Sequence, residues 1–211
     1  GVATRAPVAE VADSELDFVF DVNVKGVVRV TRGFLPLVVE SKGRIVTTGS
    51  IAGIASSPGS SVYSMTKHAV EAFTDSLASE MAPTGVQVSV IEPGAYKSRI
   101  RRNAIGRFRE DVAAAGGDVP DELRAQAQQL AEEEIAMDEP NDVSTALVHA
   151  LSADKALRRY LVTPNSGQAE WTIRALVREL AELNQWEQRN YTRDELVQML
   201  DEALDPQSAS D

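Results

Sequence analysis

"GSIAGIASSPGSSVYSMTK", running from Gly49 to Lys67, sets a serine just past a β-branched run. Beyond a turn-rich loop it then sets a tyrosine and a lysine four residues apart. The segment "RIVTTGS" (Arg44–Ser50) is short, apolar and bounded by glycines, so it reads as a strand. In "IAGIASSPGSS" the glycine, proline and serine residues are turn formers, so this part is a loop. Ser60 or Ser61 is placed to cap the next helix, because a serine oxygen can accept one of the orphan N–H groups at a helix start. That helix carries Tyr63, Lys67, Val70, Phe73 and Leu77 and stops near Pro83.

Outward from this stretch, apolar residues from Ser14 to Val39 recur at three- and four-residue intervals, which predicts helix. "VQVSVIEPG" (Val86–Gly94) and "RRYLVTPN" (Arg158–Asn165) read as two further strands, with "NDVSTALVHALS" (Asn141–Ser152) a capped amphipathic helix between them. Ala95 to Glu139, rich in Arg, Ala, Gln and Glu, reads as mobile helices and loops over a site. Trp171, Ile173, Leu176, Val177, Leu180 and Leu183 form one helical stripe, read as core packing. Thr192 with Glu195 is a capping box ahead of a last helix. Strands alternating with helices predict an α/β fold with a parallel sheet and right-handed crossovers.

At 211 residues the chain can bury a core as one domain plus extensions. Its 43% hydrophobic and 25% charged content suits a soluble globular protein, and no run is long and apolar enough to span a bilayer. Cytoplasmic is the default location. With no cysteine, disulfides and thiolate metal ligands are excluded, and no other metal-ligand set is identified. A net charge of -11 argues against a dedicated nucleic-acid binder. The local exception is the basic run Lys97, Arg99, Arg101, Arg102, Arg107 and Arg109, read first as a solvated helix face and second as a contact for an anionic ligand.

Tyr63 and Lys67 project from one helix face, because residues four apart are neighbours there. Unit charges about 6 Å apart interact by roughly 3 kcal/mol at an effective dielectric near 20. A lysine so placed is expected to pull a phenol from about 10 toward 8, within reach of proton transfer near neutral pH. Ser50, at a strand's carboxyl end where open parallel sheets place ligands, could meet the oxygen that Tyr63 protonates. A carbonyl oxygen bonded by two hydroxyls is polarised for hydride attack.

Together, "TTGSIAG", "YSMTK" and the Pro93-Gly94 turn resemble the classical short-chain dehydrogenase/reductases, which bind NAD(H) or NADP(H) in a Rossmann fold. The resemblance covers nearly all of Gly1 to Asn165. It implies a catalytic tetrad of Asn23, within "DVNVKG", with Ser50, Tyr63 and Lys67. Tyr63 is implied as general acid/base, Ser50 as the group orienting the substrate oxygen, and Lys67 as the holder of the nicotinamide ribose. Asn23 is implied to hold a water that links Lys67 to solvent. Pro93, Gly94, Tyr96 and Ser98, in "EPGAYKS", match the segment that clasps the nicotinamide amide, with serine where threonine is frequent. The substrate is expected to be a small-molecule alcohol or carbonyl, the cofactor NAD or NADP, and the full-length protein a homodimer or homotetramer joined through the helices bearing Asn23 and Tyr63. Neither nucleic acid nor a membrane is expected as a partner. The competing reading is a non-catalytic Rossmann-like binding or scaffold protein, or an inactive fragment. A serine hydrolase is disfavoured by the lack of G-x-S-x-G and by His68 and His149 lying on predicted helices.

The family places a glycine-rich turn near its amino terminus, and no G-x-x-x-G-x-G precedes Asn23. "GVATRAPVAEV" resembles the residues that follow the family's Asn-Asn-Ala-Gly stretch, with Gly1 as its last glycine. The expectation is therefore a partial Rossmann-type, doubly wound parallel sheet: the catalytic half over residues 1–165, with a helical carboxy-terminal extension over 166–211 packed on it. An exposed sheet edge favours aggregation. The 211-residue polypeptide alone is accordingly expected to aggregate or to show no turnover, and a purified monomer oxidising NAD(P)H with a carbonyl substrate would contradict this.

Overall fold

The computed structural model describes residues 1–4, 6–104, 106–107 and 121–205. They form two compact units, Gly1–Thr172 and Ile173–Asp211. In the first, α1 (Asp13–Phe20) runs through a π-helical turn (Asp21–Lys25) into α2 (Gly26–Glu40). Then come β1 (Arg44–Thr48), α3 (Ser61–Met81), β2 (Gln87–Pro93), α4 (Asp121–Ala136), α5 (Asn141–Ser152) and β3 (Arg159–Val162). Helix α6 (Ser166–Leu183) begins in this unit and ends in the second, where α7 (Arg193–Leu204) follows.

The three strands make one parallel sheet in the order β1-β2-β3. Arg44 stands opposite Gln87 and Thr48 opposite Ile91, while Val90 pairs with Arg159 and Pro93 with Val162. Parallel neighbours need long crossovers, and α3 supplies the first while α4 and α5 lie within the second. Because strand side chains alternate, one sheet face sends Val88 and Val90 toward α3 and the other sends Ile91 toward α5. Leu77, Ala78, Val86 and Val88 form the core on the α3 side, and Ile91, Ala150 and Tyr160 form the core on the α5 side. Helices on both faces make the architecture α/β and doubly wound, as the strand and helix order predicts. Gly85, with φ of 80°, turns the chain into β2 at a position where a side chain would be strained.

Three expectations need correction. The helix over Asn141–Ser152 forms, but its N-cap residue is Pro140 and no side chain caps it. No serine side chain caps α3: the Ser60 hydroxyl instead donates to the Ser57 carbonyl at 2.7 Å, holding the loop before the helix. The α6 stripe is not core: Trp171, Ile173, Leu176, Val177, Leu180 and Leu183 are all exposed, at 44% or more. Helical spacing locates an apolar face but does not say what covers it. The Thr192–Glu195 capping box is present in both directions, with Thr192 N–H donating to Glu195 Oε2 at 2.7 Å. Part of the Ala95–Glu139 reading, at residues 105 and 108–120, lies outside the described residues.

Leu77 is 5% exposed within the α3-side core, so Leu77→Ala should destabilise the fold by about 2–5 kcal/mol. The urea midpoint checks this, with the exposed Met65→Ala as a control that should leave it nearly unchanged.

Candidate active site

The site is built where β1 ends. Gly49 continues the ladder by one bond, its N–H donating to the Ile91 carbonyl at 2.7 Å. Ser50 then caps a 3-10 turn (Ile51–Gly53), its Oγ accepting from Ala52 N–H at 3.1 Å. A β-carbon at position 53 would lie 2.9 Å from the Lys67 carbonyl, so glycine lets this turn rest directly on α3. That contact fixes Ser50 relative to Tyr63 and Lys67, which sit on consecutive turns of the helix.

Ser50 and Tyr63 line one cavity of about 200 Å³, together with Tyr96, Ser98, Arg101 and Trp171. The Ser50 hydroxyl also donates to the Pro93 carbonyl at 3.5 Å. Lys67 lies behind the phenol, with Nζ 5.7 Å from the centroid of the Tyr63 ring, and donates to the Thr48 carbonyl at 2.9 Å. It lines a second cavity of about 550 Å³ along β1 and α2, as do Asn23 and Gly1. The structure thus brings Ser50, Tyr63 and Lys67 to one strand end.

The electrostatics differ from the expectation. Burial raises the Tyr63 phenol above its ordinary value, and the Ser50 hydroxyl only partly offsets this. Lys67 is 5% exposed, and burial lowers it to about 8, with Glu71 opposing. The Coulomb argument counts only the charge next door, whereas burial disfavours phenolate and ammonium alike.

Asn23 sits in the π-helical turn, where Gly26 N–H reaches back five residues to the Asp21 carbonyl. Its amide is engaged within the fold: Oδ1 accepts from Val2 N–H at 2.8 Å, and Nδ2 donates to the Val2 carbonyl at 2.7 Å and to Thr66 Oγ1 at 3.0 Å. Pro93 and Gly94 leave β2, and Gly94 N–H donates to the Val162 carbonyl at 2.7 Å. A β-carbon at position 94 would lie 3.2 Å from Thr163 Cγ2 and 2.5 Å from Gln168 Oε1, so a side chain there would have to displace the Gln168 amide. Gln168 Oε1 accepts from Ala95 N–H at 2.8 Å. Tyr96 is buried, its hydroxyl reaches Asp142 Oδ2 at 3.5 Å, and burial with the nearby acid raises its phenol. Ser98 is exposed at the cavity wall.

Much of the basic run is answered by acids: Lys97 by Glu139, Arg101 by Glu133, Arg102 by Glu134 and Arg107 by Glu15. Arg109 lies outside the described residues. Neither histidine is engaged with Ser50, since His68 Nδ1 meets the Ser64 carbonyl and His149 Nδ1 meets the Tyr160 hydroxyl. The residues missed in sequence are the supports: the Thr48 carbonyl, the Thr66 hydroxyl and Gln168. Thr66 carries a weak signal by preceding Lys67 on the same helix, while nothing in the sequence ties Gln168 to the Gly94 turn.

A Rossmann-like parallel sheet with serine, tyrosine and lysine at one strand end defines a class of protein, and similarity agrees. The family model for short chain dehydrogenases matches residues 1–106. The chain belongs to the short-chain dehydrogenase/reductase family. It is 34% identical over 170 residues to the mitochondrial D-beta-hydroxybutyrate dehydrogenase of Mus musculus, covering 76% of this chain and 50% of that one. A short-chain dehydrogenase structure from Streptomyces avermitilis matches with a TM-score of 0.67 at 26% identity, over 89% of this chain and 66% of that one. A 4-hydroxyisoleucine dehydrogenase complexed with NADH shares the fold, with a TM-score of 0.56 at 20% identity over 77% of this chain and 64% of that one. The chain spans about half the length of the first curated relatives it matches.

The position of Lys67 sets a pH signature. Its ordinary value is 10.5 and its folded value about 8, so between these the unfolded chain holds more protons and stability from this group rises with pH. The stability of the native chain relative to Lys67→Met should therefore be flat below about pH 7 and rise from pH 8 to 10.5. Paired urea titrations measure it, and a gap independent of pH would contradict the burial argument.

Proposed function

We propose that the chain carries the proton-transfer machinery of an NAD(P)-dependent oxidoreductase interconverting an alcohol and a carbonyl. The observation that carries this reading is the convergence of the Ser50 and Tyr63 hydroxyls on one cavity with the Lys67 ammonium behind them. In reduction, the substrate oxygen accepts hydrogen bonds from Ser50 Oγ and from the Tyr63 phenol. As the carbonyl carbon gains hydride, the phenolic proton passes to the oxygen and leaves an alcohol; oxidation reverses the transfer. Burial favours the neutral phenol, the form able to donate.

The residues present fit a nicotinamide dinucleotide. Among the described residues Lys67 gives one of its three N–H groups to Thr48, which leaves donors for ribose hydroxyls. The Gly94 turn is braced by Gln168, whose Oε1 accepts from Ala95 N–H beside the ring-amide segment. Lys67 and Tyr63 would hold the ribose, and Pro93, Gly94, Tyr96 and Ser98 the ring amide. When bound, NAD or NADP supplies or takes up the hydride. Asn23 orders Val2 and Thr66 beside Lys67, on the route by which solvent protons would reach it. A homodimer or homotetramer is supported by exposed apolar Val30, Phe34 and Met65 on α2 and α3.

The test uses the chain alone and fused behind the amino-terminal cofactor-binding half of a short-chain dehydrogenase, with NADH or NADPH and a series of ketones and alcohols. Tyr63→Phe should lower turnover of the fused chain by about 10²- to 10⁴-fold while cofactor fluorescence titrations still show binding. Turnover that survives the substitution would falsify the assignment of Tyr63. Absence of turnover on every substrate would favour a non-catalytic binding protein.

A further inference from the structure

One turn beyond Lys67 on α3 lies a second ionisable cluster, which the proton transfer above does not use. Glu71 is 9% exposed, and Glu92, pointing from β2, is 1% exposed. A single guanidinium nitrogen, Arg159 Nε, stands 3.4 Å from Glu71 Oε2 and 3.4 Å from Glu92 Oε1. The shared nitrogen holds the two carboxyls side by side between α3 and β2. Room for them comes from Gly49, where a β-carbon would lie 2.6 Å from Glu71 Oε1.

Written as two anions, the pair is badly satisfied. Glu71 Oε1, Glu71 Oε2 and Glu92 Oε1 are then buried with no hydrogen-bond donor among the described residues. Arg159 is also shared, since its Nη2 is 2.7 Å from Asp75 Oδ2. Two carboxylates brought together out of water do not both stay ionised, and one proton between them creates the missing donor. The other charged groups facing the pair are Lys67 and Asp75 from α3, with Arg158, just before β3, held 3.8 Å from Asp75. His149 and Tyr160 belong to the opposite sheet face, and Arg44 of β1 is spent on the Ala150 and Ala153 carbonyls. Burial and the neighbouring Glu71 carboxylate push Glu92 up to about 8, and burial raises Glu71 against the opposing effects of Glu92 and Arg159.

We propose that Glu71 and Glu92 are a positioning pair that shares one proton at neutral pH, leaving a single negative charge one helical turn behind Lys67 that sets the charge of its ammonium. The consequence for catalysis rests on the oxidoreductase reading, whereas the shared proton does not. With both acids charged Lys67 would be held more firmly protonated, and with neither charged its burial would neutralise it.

Two spectroscopic readouts on the full 211-residue chain, with the fused form as a second sample, test this without turnover. Infrared titration with ¹³C-labelled glutamate should show one protonated carboxyl at pH 7 that is lost on titration to alkaline pH and in Glu92→Gln. If every glutamate is ionised at pH 7, the shared proton is refuted, and this needs no variant to fold. Lysine-labelled NMR then follows Lys67 among Lys25, Lys42, Lys97 and Lys155. Glu92→Gln should move the Lys67 midpoint up, because Glu71 is freed to ionise fully, and Glu71→Gln should move it down. A purely structural role would loosen the site and move both variants upward, which overturns the coupling. A fused chain that passes both titrations yet turns over no substrate would end the oxidoreductase reading and leave this pair in place.

Discussion

The ammonium of Lys67, held against the Thr48 carbonyl at the end of β1, is the constraint around which this molecule is arranged. Removing a charge from water costs several kcal/mol unless partners replace the lost solvation. Here the replacements are one strand-end carbonyl and the acid one turn along the same helix. The Thr48–Gly49 peptide must therefore keep its N–H on the ladder to Ile91 while its carbonyl, on the opposite side, receives Lys67. The helix must also start close enough for Lys67 to reach across. The 3-10 turn at Ile51–Gly53 and the serine-rich loop before α3 meet both demands.

Glycine is the means by which these distances become short. At positions 49, 53 and 94 an added β-carbon would fall within 3 Å of Glu71 Oε1, the Lys67 carbonyl and Gln168 Oε1 respectively. Each glycine stands where a parallel strand ends or just beyond it, the region in which open α/β sheets bind their ligands. The site thus depends on backbone packed against helix, and the side chains facing the cavities are left free for chemistry.

What the sequence reveals here is what periodicity and turn chemistry control. The helix over Asn141–Ser152, the strand at Arg44–Thr48 and the capping box at Thr192 all lie where local patterns put them. Ser50, Tyr63 and Lys67 could be grouped because a strand end and a four-residue helical interval fix their approach. Properties set by surroundings were less accessible. The proton affinity of Tyr63 depends on how much of the sheet covers it, and a helix spacing contains no such information. The stripe on α6 has the same pattern whether buried or exposed. The π-helical turn at Asn23 leaves no mark in composition, although it aims the Asn23 amide at the Val2 backbone.

Helix geometry also accounts for the way charge is distributed behind the site. Tyr63, Lys67, Glu71 and Asp75 recur every four residues along α3, and such a row drifts about 40° around the axis at each step. The drift carries the row across the sheet in strand order. Lys67 meets β1 at the Thr48 carbonyl, Glu71 meets β2 at Glu92, and Asp75 meets β3 at Arg159. An exposed helix could not use this arrangement, because solvent would screen each pair separately. Packed on a sheet, the same row runs from the phenol at the cavity to a guanidinium on the farthest strand. Buried polar residues therefore concentrate on α3, where Ser64, Thr66, Lys67, Glu71 and Thr74 are all covered, and the other helices carry few. One helix both closes the core and sets the charge at the strand end, so a change in its register would disturb packing and proton affinity together.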